Sequence, residues 1–576
     1  MSENEIGMGL GMLAIAVTWV VALATFAGLG YAFLRSARLE RDGAEGLFAA
    51  VWIGWALALG VLQTWHLFQP VDVRVRVLVL ALGGAGFLWN LPYLLARLRL
   101  APRRVLPFAA ASLLLTFWMA NRAMAPAMEY DAGLYHLNTI RWLESYAIVP
   151  GLGNLHTRLA SNSSYFLYMA AIDLSPWAHR AQHVAIYLLL LALGVQLGWT
   201  AFSVLLQTRP LSGSVLFRLV LIPAIVGKVF GGIHEGEPDL AVWVLGVVII
   251  DALIRAVLET RRGTHALTSM LLVLTASSAA ITVKLSAGAM GIAASAIAIV
   301  WAILRVGELP SVRHHSVTYL KMATLPLLLV CVWMLRGFVL SGYPAFPSAL
   351  GGIDVDWRVP SEVAHNEVRW IRSWAMQQGG DPDVVLRGWD WVRPWSEGAA
   401  AGGSFDLVTP LAIAAAGFLV AVVRRRRWVK LELGLVAGTV APAASLAVWF
   451  LTAPELRFAG AAAWLLAAGS LVLAAERSGV LRLSGVAPAV VLISLVAAVA
   501  SHLTAEKYIR PGPERGFYGL PQAGVVEVTL PSGLTFDRPA QGDQCWDGPL
   551  LCAPYPPADL RLRVPDDLAH GFSVAP

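Results

Sequence analysis

Charge is scarce in this chain: Asp, Glu, Lys and Arg make up only 14% of its 576 residues, where a soluble domain carries roughly 25%. A fully water-exposed surface cannot be built from so little charge. Cysteine is nearly absent as well. Three residues are too few for a disulfide scaffold or a thiolate metal centre. The first residues include Glu3 and Glu5 and form no basic leader, so the first apolar run reads as a retained helix. There is no Rossmann-type glycine motif and no Walker sequence, which argues against nucleotide-sugar or ATP binding. No internal repeat or low-complexity tract is evident.

What remains is apolar: 57% of residues are hydrophobic and mean hydropathy is +0.65. Runs of about 20 such residues, the length a bilayer crossing needs, recur along the chain. They place spans at 8–31, 45–68, 77–96, 105–122, 181–207, 216–231, 238–258, 266–282, 285–304, 318–341, 406–423, 431–452, 457–475 and 483–502. This predicts an all-α polytopic membrane protein of about fourteen transmembrane helices. Arginines explain the net charge of +6. They cluster after the first (Arg35, Arg38, Arg41), third (Arg97, Arg99, Arg103, Arg104), seventh (Arg255, Arg261, Arg262), ninth (Arg305, Arg313, with Lys321) and eleventh spans (Arg424 to Arg427, with Lys430). All five clusters fall on one side if both termini are extracytoplasmic, as positive-inside retention requires. Nucleic acid is therefore not an expected partner. The expected organisation is N-terminal transmembrane helices over 1–104, a transmembrane core over 105–502 with outer loops 123–180 and 342–405, and an extracytoplasmic tail over 503–576. Within the tail, Val525 to Leu530 alternates as a strand does.

The polar residues nearest the outer ends of spans are the candidates for chemistry. Asp131 opens the first large loop. It could cap the helix that follows or act as a general base toward an acceptor hydroxyl. That helix shows apolar residues at Leu134, Leu137, Ile140, Leu143 and Ala147, a spacing suited to the membrane interface. Glu235, Glu237 and Asp239 form a second acidic group on the same side. Asp239 after Pro238 also suits a helix start. A divalent cation shared by Asp131 with Glu235, Glu237 or Asp239 is one reading, although no ligand spacing demands it. His136 and His234 are isolated, so zinc is not inferred. Lys284 sits at an apolar boundary where a charge is costly. Lys284, Arg336 and Arg457 could hold a phosphate, with pairing to carboxylates or snorkelling as the structural alternatives. Lys228 is a weaker candidate. The second loop carries Trp357, Trp370, Trp374, Trp389, Trp391 and Trp395, which could stack on sugar rings or simply mark the interface. Cys545 and Cys552 lie close together in an oxidising compartment and are expected to bond.

An acidic residue after a membrane helix and before an interfacial one resembles the first-loop Asp of the GT-C glycosyltransferase superfamily. Tyr130-Asp131-x-Gly133-Leu134-Tyr135-His136, Asn162-Ser163-Ser164, Gly342-Tyr-Pro-Ala-Phe-Pro347 and Gly542-Asp-Gln-Cys-Trp546 look more closely like a bacterial GT-C-like multi-pass family. The chain departs from simpler members by placing about three helices before the Asp-bearing loop. The resemblance implies a GT-C-like fold in the bacterial inner membrane. It further implies an enzyme that moves a sugar from a polyprenyl-phosphate carrier to a glycan, lipid or protein acceptor, with Asp131 as base. Tyr135, His136, Asn162 and Asp239 become further candidates for substrate contact. A transporter or flippase of lipid-linked glycans and an O-antigen-type polymerase or ligase stay open as alternatives. The orientation has a direct check. Cysteines placed in loops 123–180 and 342–405 and in the tail should all react with a membrane-impermeant thiol reagent on intact cells. Protection of any one of the three would break the scheme.

Overall fold

The structure is a computed structural model, and it describes residues 8–39, 42–100, 105–124, 130–173, 181, 184–230, 238–258, 264–305, 316–402, 404–424, 432–482, 486–504 and 521–574. The expected positions of His234, Glu235 and Glu237, and several basic clusters including Arg261, Arg262 and Arg313, lie outside the described residues.

Helices form at every span read from the sequence. The first group is α1 (Met8–Ser36), α2 (Gly43–His66), α3 (Val73–Leu100) and α4 (Leu106–Ala123). Three short helices follow: α5 (Leu137–Ser145), α6 (Leu152–Leu155) and α7 (Ser164–Ile172). Then come α8 (Ala185–Leu205), α9 (Gly213–Phe230), α10 (Pro238–Leu258), α11 (Thr264–Val283), α12 (Gly288–Leu304) and α13 (Ser316–Ser341). The second loop folds as α14 (Ser361–Met376), α15 (Pro382–Val385) and α16 (Val392–Gly402), and α17 (Thr409–Val423), α18 (Glu432–Thr452), α19 (Ala462–Ser478) and α20 (Val486–Thr504) complete the body. Among the described residues, nine helices are long and apolar enough to cross a membrane. The protein is an all-α polytopic membrane protein with a small β-containing tail.

Helix α10 is apolar on all sides, and a helix of that kind must be enclosed. It is: every residue from Pro238 to Val257 is buried, against α8, α9, α11, α12, α18 and α19. The N-terminal helices join the same continuous core, so residue 104 is no packing boundary. Small residues allow the close approach of α1 to α2. A Cβ on Gly30 would sit 1.8 Å from the Ala50 carbonyl oxygen, and one on Gly54 would sit 1.7 Å from that of Phe26. Small residues at the crossing are the usual means of packing helices in lipid.

Alternating helix direction sorts the polar groups to two ends. At one end Glu45 meets Arg209 and Arg218, Arg255 lies 3.3 Å from Glu45, and Lys321 donates to the Ser36 carbonyl. The other end carries α5–α7, α14–α16 and the tail. In the tail, β1 (Val525–Thr529) pairs antiparallel with β2 (Thr535–Pro539), and β3 (Arg561–Leu562) pairs antiparallel with β4 (Phe572–Ser573). Cys545 and Cys552 are disulfide-bonded, as expected.

The helix read as interfacial turns out differently. Its periodicity is real, but the tail covers its polar face. Asn138 donates to the Cys552 carbonyl, and Arg141 donates to that of Gly548 and lies 3.6 Å from Asp547. A polar helix face needs polar partners, and here protein supplies them instead of water and headgroups. The contact is tight at Gly133, whose carbonyl accepts from the Trp546 N–H at 3.0 Å. A Cβ on Gly133 would meet the Trp546 ring at 2.5 Å. Gly133→Ala should therefore weaken tail docking by about 1–3 kcal/mol, the usual cost of overpacking. Faster hydrogen exchange or proteolysis within 525–574 would report it. Unchanged protection would mean that this packing does not hold the tail.

Candidate functional site

Asp131 enters a π-helical turn, Ala132–His136, that leads directly into α5. Such turns carry one extra residue and recur at functional sites. Asp131 occupies the position before the turn but makes no side-chain capping bond. Capping is therefore not its role here. Its carboxylate instead accepts from Arg457 Nη1 at 2.9 Å. Arg457 belongs to the short 3-10 turn Leu456–Ala459 between α18 and α19.

These two residues line a cavity of about 370 Å³. Lys284, between α11 and α12, lies on its wall, and its ammonium donates to Asp239 Oδ1 at 2.6 Å. Lys284 thus does not snorkel. It also sits 4.4 Å from the Phe458 ring centre, a cation–π contact. Arg158 and Glu367 form a third pair on the wall at 2.9 Å. Thr157 donates to the other Glu367 oxygen at 3.0 Å. Three cations and two carboxylates from five separate chain segments line one space, and a third carboxylate, Asp239, stands behind Lys284.

The cavity has a second character away from the charges. It continues past Ala289 of α12 and along Ser445, Val448, Trp449 and Thr452 of α18, roughly 10 Å at 1.5 Å per residue. Val448 is 47% exposed and Leu285 41% exposed, although both line it. The cavity therefore opens sideways, on the apolar flank of the helical body. Phe346 and Pro347, from the Gly342–Pro347 motif, contribute apolar surface. The Ser161 and Ser286 hydroxyls, on residues of the wall, are buried without a hydrogen-bond partner.

Burial, the largest single influence, pushes the Asp131 carboxyl up, but the surrounding positive groups, Arg457 first among them, together hold it below the usual carboxylate range. His136 lies behind the wall, its ring 4.9 Å from that of Phe166. Burial lowers its pKa to about 3, so the imidazole is neutral. Tyr135 lines the cavity, and burial followed by the Asp131 charge pushes its phenol well up.

Of the residues singled out from sequence, Asp131, Tyr135, Lys284 and Arg457 meet at the cavity, with Asp239 directly behind Lys284. Arg336 and Asn162 do not reach it. Arg336 is buried among helices, where its Nε donates to Asn162 Oδ1 at 3.1 Å and its Nη1 lies 2.6 Å from His66 Nδ1. Asn162 in turn exchanges hydrogen bonds with Trp333 of α13. Both residues brace the packing of α13, and the phosphate-holding role read for Arg336 has no place there. Lys228 pairs with Asp406, also away from the cavity. Arg158 and Glu367 were not foreseen. Among the described residues, no group of three or more His, Cys, Asp and Glu could hold a metal ion.

A polytopic helical body with a charged, laterally open cavity at one end defines the class of protein. The chain belongs to the family described as Domain of unknown function (DUF8201), which matches residues 12–464. That stretch contains the five charged residues that line the cavity and ends before the tail. No curated protein and no solved structure matches the chain.

The pairing fixes an expectation for pH. A general base must be ionised, and the acid limb of kcat/KM reports the free enzyme. With Asp131 held low by Arg457 and His136 already neutral, that limb should lie below about pH 4, the ordinary carboxylate value. Any activity that depends on Asp131 should then be level through pH 5–7. A limb centred near 6.5 would mean that a histidine titrates instead.

Proposed function

We propose that this protein is a membrane glycosyltransferase that takes a sugar from a polyprenyl-phosphate carrier and passes it to an acceptor hydroxyl. The observation that carries the reading is the shape of the cavity. Charged groups form its head, and an apolar limb between α12 and α18 opens toward lipid. A ligand that fits both parts has an anionic polar head joined to a hydrocarbon tail. Lipid-phosphate sugars have that constitution.

In this reading the donor phosphate lies among Arg457, Lys284 and Arg158. Guanidinium and ammonium groups neutralise the charge that grows on the leaving phosphate. Binding draws Arg457 from Asp131, and the freed carboxylate recovers basicity just as the acceptor arrives. Asp131 then takes the acceptor proton while the hydroxyl oxygen bonds to the anomeric carbon. The carbon–oxygen bond to phosphate breaks, its electron pair leaves with polyprenyl phosphate, and the anomeric centre inverts. The bacterial inner membrane, an outward-facing cavity, fourteen crossings and a GT-C-like arrangement belong to the same proposal. The five basic clusters on the opposite side support that orientation.

The decisive variant is Asp131→Asn, tested on protein reconstituted with a polyprenyl-phosphate hexose. It preserves size and should fold normally and bind the donor, yet transfer should fall by roughly 10²–10⁴-fold. Lys284→Met should instead weaken donor binding. Near-normal turnover by Asp131→Asn would remove the base assignment. Failure of the unmutated protein to transfer from any such donor would remove the function.

A further inference from the structure

The turn that carries Arg457 has a second face. Glu455 and Leu456, immediately before it, line another cavity of about 370 Å³ together with Trp374, Gln377, Gln378 and Trp395. A single residue, Leu456, separates Glu455 from Arg457, so the two cavities share this short stretch as a partition, at most about 7 Å of extended backbone.

The lining differs in kind from that of the first cavity. No Lys or Arg is among its residues, so it is not built for a phosphate or any other anion. Two indoles and two amides dominate instead. Trp395 donates through Nε1 to the Pro454 carbonyl at 2.7 Å, which satisfies its polar edge. Its orientation is held by Trp449 and Phe450, with ring centres 5.8 and 5.3 Å away. Trp374 is 50% exposed on α14, so its ring is available to a ligand. Gln377 and Gln378 are exposed, and Gln378 is hydrogen-bonded to the Glu455 side chain. Burial, the largest influence on that carboxyl, raises it above its ordinary value. A neutral sugar ring offers an apolar C–H face for an indole and a fringe of hydroxyls that both donate and accept. Amides both donate and accept, and the Glu455 carboxyl beside Gln378 supplies acceptor oxygens.

We propose that this second cavity binds a neutral saccharide, with a ring stacked on Trp374 beside Trp395 and its hydroxyls bonded to Gln378 and Glu455. Resting on the transferase reading, this saccharide is the acceptor, reaching across Leu456 toward Asp131. The binding claim itself stands on the lining alone.

The test uses the full chain in nanodiscs and a panel of neutral tri- to hexasaccharides of glucose, mannose, galactose and N-acetylhexosamines, read by saturation-transfer NMR. At least one should bind with a Kd tighter than about 1 mM. Trp374→Ala and Gln378→Ala, both at exposed positions, should each weaken it roughly tenfold, about 1.4 kcal/mol. Trp374→Phe should restore much of the loss. No binding across the panel, or binding indifferent to both variants, would overturn the proposal. So would strong quenching of Trp374 by spin-labelled phospholipid that saccharide cannot relieve, because the indole would then belong to the bilayer. Saccharide binding through Trp374 in a protein that transfers no sugar would sustain this inference and fell the transferase reading. Transfer without such binding would do the reverse.

Discussion

Helix α10 is enclosed on every side, and it carries a carboxylate toward each end, Asp239 in its first turn and Asp251 about two turns before its last residue. Charges out of water are tolerated only when paired, since desolvating an ion costs several kcal/mol even after relaxation. At one end Asp251 accepts from Arg218 Nε at 2.7 Å and lies 3.3 Å from Arg255, with Glu45 of α2 completing the group. At the other end Asp239 holds Lys284. The neighbours of α10 are thus chosen twice, once by apolar packing along its length and once by charge at each end. Helices α2, α9 and α11 cannot shift along it without breaking an ion pair or its geometry.

The two ends are unlike in one respect that bears on function. The Arg218 and Asp251 side chains are 2% and 3% exposed, so their pair is locked in the core. Lys284 and Arg457 are 26% and 38% exposed and face a cavity. Asp239 and Asp131 are less exposed, at 10% and 19%, so the cations are the halves of these pairs that the cavity reaches. Their carboxylates are then exchangeable counterions for cations that an incoming anion could claim. The inner network is sealed in the core, while the outer pairs border an open space.

The parts of this arrangement that depend on position along the chain were legible in the sequence, and those that depend on rotation were not. Apolar length places the helices. Lys284 and Arg457 stood out because a cation at an apolar boundary is costly and rarely idle. Arg336 satisfied the same test, yet it points between helices to Asn162 and His66, because depth in the bilayer says nothing of which face of α13 it occupies. Arg158 and Glu367 escaped notice for the opposite reason: in polar loops a charged residue has no cost to betray it. The spacing from Leu134 to Ala147 likewise announces a helix with one polar face. Only the fold reveals that Asn138 and Arg141 spend that face on the tail.

That tail contact explains how a lone acidic residue in a loop can be held in place. The Tyr130 hydroxyl donates to Asp543, and Gln544 donates to the Tyr130 carbonyl. Two residues after Asp131, the Gly133 carbonyl accepts from Trp546. The Gly542–Trp546 motif therefore grips the backbone on both sides of Asp131 and leaves its side chain to Arg457, and the Cys545–Cys552 bond ties the gripping loop to itself. Two motifs more than 400 residues apart in the chain are two halves of one clamp. The π-helical turn completes the arrangement. By beginning the turn without a side-chain cap, Asp131 keeps its carboxylate for Arg457 and the cavity, at a position that the tail holds still.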